Sequence, residues 1–261
     1  MSGPGLYVYA ITDGAPGELG TGLDGAPVRL VTPAGGPSAV VHEHDGGPYE
    51  GPDDDVRRWV VEHSDVVDRV WQGGSTVLPV SFNVIVAAAE DAPAQRRLED
   101  WLGTHQDRIR ARLAALAGRV ELRVEVGLDQ RQVGEGHPDL EAARREMADR
   151  TPGVQRLLRK RLEQREREVA DALADELYQD YRRRLARLSE DLSENRGARP
   201  EPGTVPVLSV SLLVPADDVS AVGRELAAIQ DEQSAARIRY LGPWPPYSFA
   251  ELPGVAGPAA S

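Results

Sequence analysis

The hydrophobic pattern of this chain switches repeatedly between a period of two and a period of three to four, and the switches fall at glycine and proline clusters. Leu6 to Thr12 reads as a first strand, followed by a glycine-rich loop over 13–27. Val28 to Thr32 and Ser38 to His44 flank Pro33-Ala34-Gly35-Gly36-Pro37, which predicts a hairpin. After the breakers of 46–52, Asp53-Asp54-Asp55 supplies an N-cap and first-turn acids for a helix to about Gln72. Val56, Val60, His63, Val67 and Val70 form its expected apolar face, and Gly73-Gly74 ends it. Thr76 to Val86 reads as a strand, with Pro79 placing it at an edge or bulge. Ala92 to Leu116 reads as one helix through Leu98, Leu102, Ile109, Leu113 and Leu116.

The second half opens with strict alternation: Val120, Leu122, Val124 and Val126 against Glu121, Arg123 and Glu125, the mark of a half-buried strand. Residues 127–151 are ambiguous, with 140–147 either a short helix or an insert. From Pro152, an apolar stripe runs through Val154, Leu158, Leu162, Val169, Leu173, Leu177, Tyr181, Leu185, Leu188 and Leu192, predicting a helix over about 152–195. Unbroken, it is roughly 60 Å long. A linker at 195–206 precedes a strand over 207–215, a helix capped by Asp217, and a last strand from Ala236 to Leu241. From Gly118 the order is β, long α, β, α, β, which suggests a modified ferredoxin-like arrangement. The expected class is α+β in two domains: an N-terminal mixed α/β domain over 1–117, and a C-terminal ferredoxin-like domain over 118–261 with the long amphipathic helix.

Composition narrows the chemistry. The 261 residues hold 41% hydrophobic side chains but only 2 Phe and 2 Met, so the cores rest on Val, Leu, Ala and Ile. With no Cys, disulfides, thiolate nucleophiles and Cys-ligated zinc are excluded, and a reducing cytosol is compatible. The start of the chain lacks a basic n-region, and the longest apolar run, Val84 to Ala89, falls short of a membrane span of about 20 residues. A soluble cytoplasmic protein without membrane or nucleic-acid partners is expected, because the net charge of −12 opposes phosphate binding. Locally, Arg156, Arg159, Lys160, Arg161, Arg165 and Arg167 form one basic stretch and Arg182 to Arg184 another. Both read as solvated, salt-bridged helix faces.

Chemical motifs are sparse. Gly20-Thr21-Gly22-Leu23-Asp24-Gly25 matches G-x-G-x-x-G, but a strand follows it where pyrophosphate binding requires a helix N-terminus. His42 and His44 share a strand face, and His63 lies on the next helix. The closed ligand spacings of metal sites are missing, so strand-end solvated histidines are the simpler reading. No Walker pattern, G-x-S-x-G or H-E-x-x-H occurs, so neither a catalytic set nor a cofactor is expected.

Near the end stands Gly242-Pro243-Trp244-Pro245-Pro246-Tyr247-Ser248-Phe249, a proline-stiffened strap carrying three aromatics over 242–249. Its simplest role is to lock the tail onto the body of the domain, with partner contact through Trp244, Tyr247 and Phe249 as the alternative. This strap resembles the ending of the gas vesicle protein GvpF/GvpL family. Leu6-Tyr7-Val8-Tyr9-Ala10-Ile11 resembles that family's opening strand, and Ser75 to Phe82 (STVLPVSF) its TVLPVRFG element. Pro152-Gly153 followed by Leu157-Leu158-Arg159-Lys160-Arg161 resembles the start of its long helix. Ser81 replaces an expected Arg, and Asn83 an expected Gly; Asn tolerates positive φ better than most residues. The resemblance implies a two-domain α+β, non-enzymatic accessory protein of gas vesicle assembly. It further implies binding of the hydrophobic shell protein GvpA and other accessory proteins, with possible retention in the vesicle as a minor component. An enzyme or small-ligand module using a ferredoxin-like cleft is the alternative. The long stripe exceeds what a domain of about 140 residues, with a radius of gyration near 14 Å, covers, so Leu185 and Leu188 are partner-surface candidates.

Overall fold

The computed structural model describes residues 4–14, 17–148, 150–195 and 201–251. Two compact units result: the chain up to Glu121 joined by the described residues from Trp244 onward, and Leu122–Pro243. The strap from Trp244 to Phe249 thus falls with the first unit, although sequence order placed it in the C-terminal half.

In the first unit, β1 (Gly5–Thr12) is flanked by β3 (Ser38–His44) on one side and by β4 (Val77–Pro79) and β5 (Ile85–Val86) on the other. β2 (Arg29–Val31) pairs antiparallel with β3, forming the expected hairpin. Leu6 to Thr12 are all buried because β1 is central and covered on both faces. Helices α1 (Asp53–Gln72), α2 (Ala94–Thr104) and α3 (Gln106–Leu116) complete this unit. Pro52 occupies the cap position of α1 without a side-chain bond, so its three aspartates act through the helix dipole alone. The buried face of α1 is His63, Val66, Val67 and Val70, whereas Val60 is exposed, a shift of the stripe by part of a turn from the sequence reading.

Two expected elements are interrupted. The 92–116 helix breaks at His105, where φ is −107° and ψ 7°; Leu98, Leu102, Ile109, Leu113 and Leu116 are nonetheless all buried. A one-residue break leaves the apolar spacing intact and is therefore invisible to periodicity. The 76–86 strand divides into β4 and β5 around Asn83, whose φ of 70° turns the chain. Asn83 does more there than a glycine does. Its Oδ1 accepts the Tyr49 N–H at 2.8 Å, its Nδ2 donates to the Tyr49 carbonyl at 3.0 Å, and its own N–H donates to the Tyr7 hydroxyl at 3.1 Å. Asn83→Gly keeps the turn but deletes both side-chain bonds, so a loss of about 1–2 kcal/mol is expected in denaturant unfolding. Asn83→Ala adds the cost of positive φ and should lose more.

The second unit contains β6 (Arg119–Asp129, of which Leu122 onward lies in this unit), α4 (Gln130–Val133), α5 (Pro138–Ala148), α6 (Pro152–Ala186), β7 (Asp191–Glu194), β8 (Thr204–Pro215), α7 (Val219–Glu232) and β9 (Ala236–Trp244, of which all but Trp244 lies in this unit). The strand order β7-β8-β6-β9, with α6 and α7 as crossovers, is the β-α-β-β-α-β ferredoxin-like arrangement. Within the ambiguous 127–151 stretch, α5 resolves 140–147 as a helix. α6 ends at Ala186, roughly 52 Å long by its 35 residues. Leu192 belongs to β7, which pairs antiparallel with β8 from Asp191↔Leu213 to Glu194↔Val210. A short polar edge strand carries no period-two signal, and its leucine fell in step with the helical stripe. Arg184 ties α6 to Glu225 and Glu232 of α7, while Arg182 and Arg183 pair with Glu194 and Asp180, as the salt-bridged reading of that triplet requires.

Candidate functional site

The strap is fastened at three points within the first unit. Phe249 is buried, and its carbonyl accepts from Arg112 Nε of α3 at 2.7 Å. The Ser248 N–H and O–H both donate to the Glu121 carboxylate, at 2.7 and 2.6 Å. Glu121 is itself buried, although the alternation placed it on a solvent face, because the strap covers it. Trp244 and Tyr247 are half-buried. Tyr247 packs against the valine and tyrosine core beside Ser64 and Asp68 of α1, and burial pushes its phenol pKa up. Of the three aromatics, Phe249 is core, and Trp244 and Tyr247 keep exposed edges.

On the long helix, Leu185 is fully buried and Leu188, just past its end, is half-buried. The stripe is covered by its own unit at this end, so Leu185 offers no surface to a partner. Exposed apolar side chains occur elsewhere: Val60 and Val61 on α1, at 41% and 58% exposure, and Val154 and Leu157 on the first turns of α6, at 44% and 55%. The basic stretch of α6 also departs from expectation. Arg156, Arg159, Lys160, Arg161, Arg165 and Arg167 are exposed but form no ion pair among the described residues.

The histidines are arranged as structure. His63 Nε2 meets the Val80 carbonyl at 3.0 Å, so it carries the proton, and Nδ1 accepts from the Tyr7 hydroxyl at 2.8 Å. His42 repeats the motif. Tyr9 accepts the Leu23 N–H at 2.9 Å and meets His42 Nδ1 at 2.8 Å, while Nε2 faces the Tyr49 hydroxyl at 3.3 Å. Burial pushes both imidazoles down to about 4, with neighbouring His44 adding to the effect at His42. His42 is therefore a buried, neutral core group and not a solvated strand-end histidine. His44 Nε2 bonds the Gly47 carbonyl at 2.7 Å. Among the described residues no group of three or more His, Asp and Glu is placed to hold a metal ion.

The G-x-G-x-x-G segment wraps the same tyrosine. A Cβ on Gly22 would fall 1.9 Å from the Tyr9 hydroxyl, so glycine is required by close approach to a phenol, with β2 following. In the ferredoxin-like unit, a shallow groove of about 200 Å³ lies along β6, β8 and β9. Its Arg237 is bonded to Asp129 and Gln132, and its Arg239 lies 3.7 Å from Glu125, so both arginines of the groove are engaged within the unit. No helix among the described residues is long and apolar enough to cross a membrane.

Two antiparallel sheets with their helices define a two-unit α+β protein. The chain belongs to the GvpL/GvpF family of gas vesicle synthesis proteins, whose model matches residues 5–251. It is 34% identical to gas vesicle protein L2 of Halobacterium salinarum over 264 residues, covering 94% of this chain and 91% of that one. Gas vesicle protein L1 of the same organism is 31% identical over 261 residues, covering 94% and 90%. Among solved structures, gas vesicle protein GvpF from Anabaena aligns with a TM-score of 0.67 at 21% identity, covering 97% of this chain and 98% of that one. GvpF from Microcystis aeruginosa aligns at 0.65 and 20%, covering 95% and 99%. The fold is shared with these proteins, and the family is not a known enzyme class.

Proposed function

We propose that this chain is a cytoplasmic accessory protein that binds the hydrophobic shell protein GvpA, together with other accessory proteins, and keeps shell subunits competent for gas vesicle assembly. The observation that carries this reading beyond family membership is the exposed Val60 and Val61 pair on α1. Val61 stands one turn before Ser64, and Ser64 flanks Tyr247 of the strap. This edge of the first unit offers apolar surface beside a half-buried aromatic, which suits a partner that would otherwise aggregate.

Deleting the gene from an otherwise complete gas vesicle cluster should leave few or no mature vesicles by buoyancy and electron microscopy. Normal vesicle number and shape would reject an assembly role. Val60→Glu with Val61→Glu alters solvated positions, so the melting temperature should hold while copurification of the shell protein falls at least about tenfold, the equivalent of 1.4 kcal/mol. Undiminished capture by a folded double variant would move the contact off α1. Recovery of the protein in washed vesicles would make it a retained minor component.

A further inference from the structure

The first half of α6 carries a cluster of cations that no ion pair among the described residues engages. Between Arg156 and Arg167 stand six cations against Glu163 and Glu166, inside a chain of net charge −12. Glu166 is committed to Arg144 at 2.6 Å. The six cations are exposed and lack ion pairs among the described residues, whereas Arg182, Arg183 and Arg184 further along the same helix are each paired. Spacing places five of the six, all but Arg159, on two adjacent ridges. Val154, Leu157, Arg161 and Arg165 run along one at intervals of three and four, and Arg156, Lys160 and Arg167 along the other at four and seven. The groove between them points away from Leu162 and Ala170, which are buried in the unit.

We propose that this groove docks an acidic amphipathic helix of another protein, with carboxylates recurring at i, i+4 and i+7 and an apolar side chain to cover Val154 and Leu157. Charge complementarity selects the occupant. An anionic membrane surface fits less well, because a helix lying on lipid needs an apolar face along its length. Here the exposed apolar residues sit at one end, and Leu162, Ala170, Ala174, Tyr181 and Leu185 are buried. Nucleic acid is opposed by the charge of the whole chain and by the exposed carboxylates Glu163 and Glu168 among the cations. Interleaved charges suit side-chain pairing with a helix of defined register. This surface is independent of the α1 patch and of the shell protein.

The test is fluorescence anisotropy with the full chain and a labelled amphipathic peptide of about three heptads, bearing glutamates on one face and one leucine per heptad. Saturable binding is expected, weakened about tenfold or more between about 0.05 and 0.5 M salt. The triple variant Arg156→Glu, Lys160→Glu, Arg167→Glu should abolish it, and Leu157→Ala should weaken it about threefold to tenfold. Circular dichroism checks that the variants fold. If the triple variant unfolds, Arg→Gln and Lys→Gln changes at the same positions carry the test. The proposal is overturned by absence of peptide binding at low salt, by equal binding of a scrambled peptide of the same composition, or by unchanged binding in the folded variant. Tighter binding to phosphatidylserine-containing vesicles or to duplex DNA than to the peptide likewise overturns it.

Discussion

Acidifying the protein from about pH 7 to about pH 4 should destabilise the first unit by several kcal/mol. His42 and His63 are held neutral down to about 4 in the folded state, against an ordinary value near 6.5. Between those limits the unfolded chain binds protons that the folded chain refuses, so stability falls as pH falls. The contribution of each imidazole is intact above about 6.5 and declines until the folded state itself protonates near 4. Each shift corresponds to about 3 kcal/mol at most, and the two together to about 6. The physical cause is visible in the hydrogen bonds: a proton on Nδ1 of His63 removes the acceptor that Tyr7 uses, and the same holds for His42 and Tyr9. All four tryptophans, at positions 59, 71, 101 and 244, lie in this unit, so tryptophan fluorescence in urea reads its unfolding alone. His63→Gln keeps a donor toward the Val80 carbonyl and an acceptor toward Tyr7 without a titrating proton. It should lose about half of the slope between pH 4 and 6.5. Urea midpoints that stay flat across this window would refute the paired-imidazole account.

Phe249→Ala should cost about 3–5 kcal/mol and lower the melting temperature sharply, because it empties a buried aromatic site. Trp244→Ala should cost clearly less, since Trp244 is half-buried. The intuition that the largest aromatic is the anchor is thereby reversed. Glu121→Ala should approach the phenylalanine variant, at about 2–4 kcal/mol, because it strips both Ser248 donors of their acceptor at once. Loss of shell-protein capture in Trp244→Ala at an unchanged melting temperature would assign that ring to an interface. An equal loss of stability in Trp244→Ala and Phe249→Ala would return both rings to the core. The ranking is read from thermal or urea unfolding of the three variants measured side by side.

How much of this was legible in the chain depends on the range of the interaction concerned. Local chemistry was readable where one element decides its own state. β1, the β2–β3 hairpin, α1 and α7 follow from periodicity and flanking breakers, and their predicted bounds differ from the structure by a few residues. Asn83 at a glycine-like position was readable for the same reason, since positive φ is a single-residue demand. The strap was conspicuous from its prolines and aromatics, but its attachment was not. That Phe249, Ser248 and Glu121 form the lock, and that the strap joins the first unit, depends on residues more than a hundred positions apart meeting. The same limit hid β7, which only its pairing with β8 makes a strand, and the break at His105, which leaves the stripe in phase. It also hid the histidines, since two imidazoles become core groups only when two tyrosines are delivered to them by β1. Sequence by itself determined most of the elements, the family resemblance, the absence of cysteine chemistry and the polarity of the chain. Tertiary structure alone decided which aromatics are buried, which charges are paired and which face of α6 is left open. Burial and pairing are properties of neighbours brought together by the fold, whereas periodicity records only the face a residue presents.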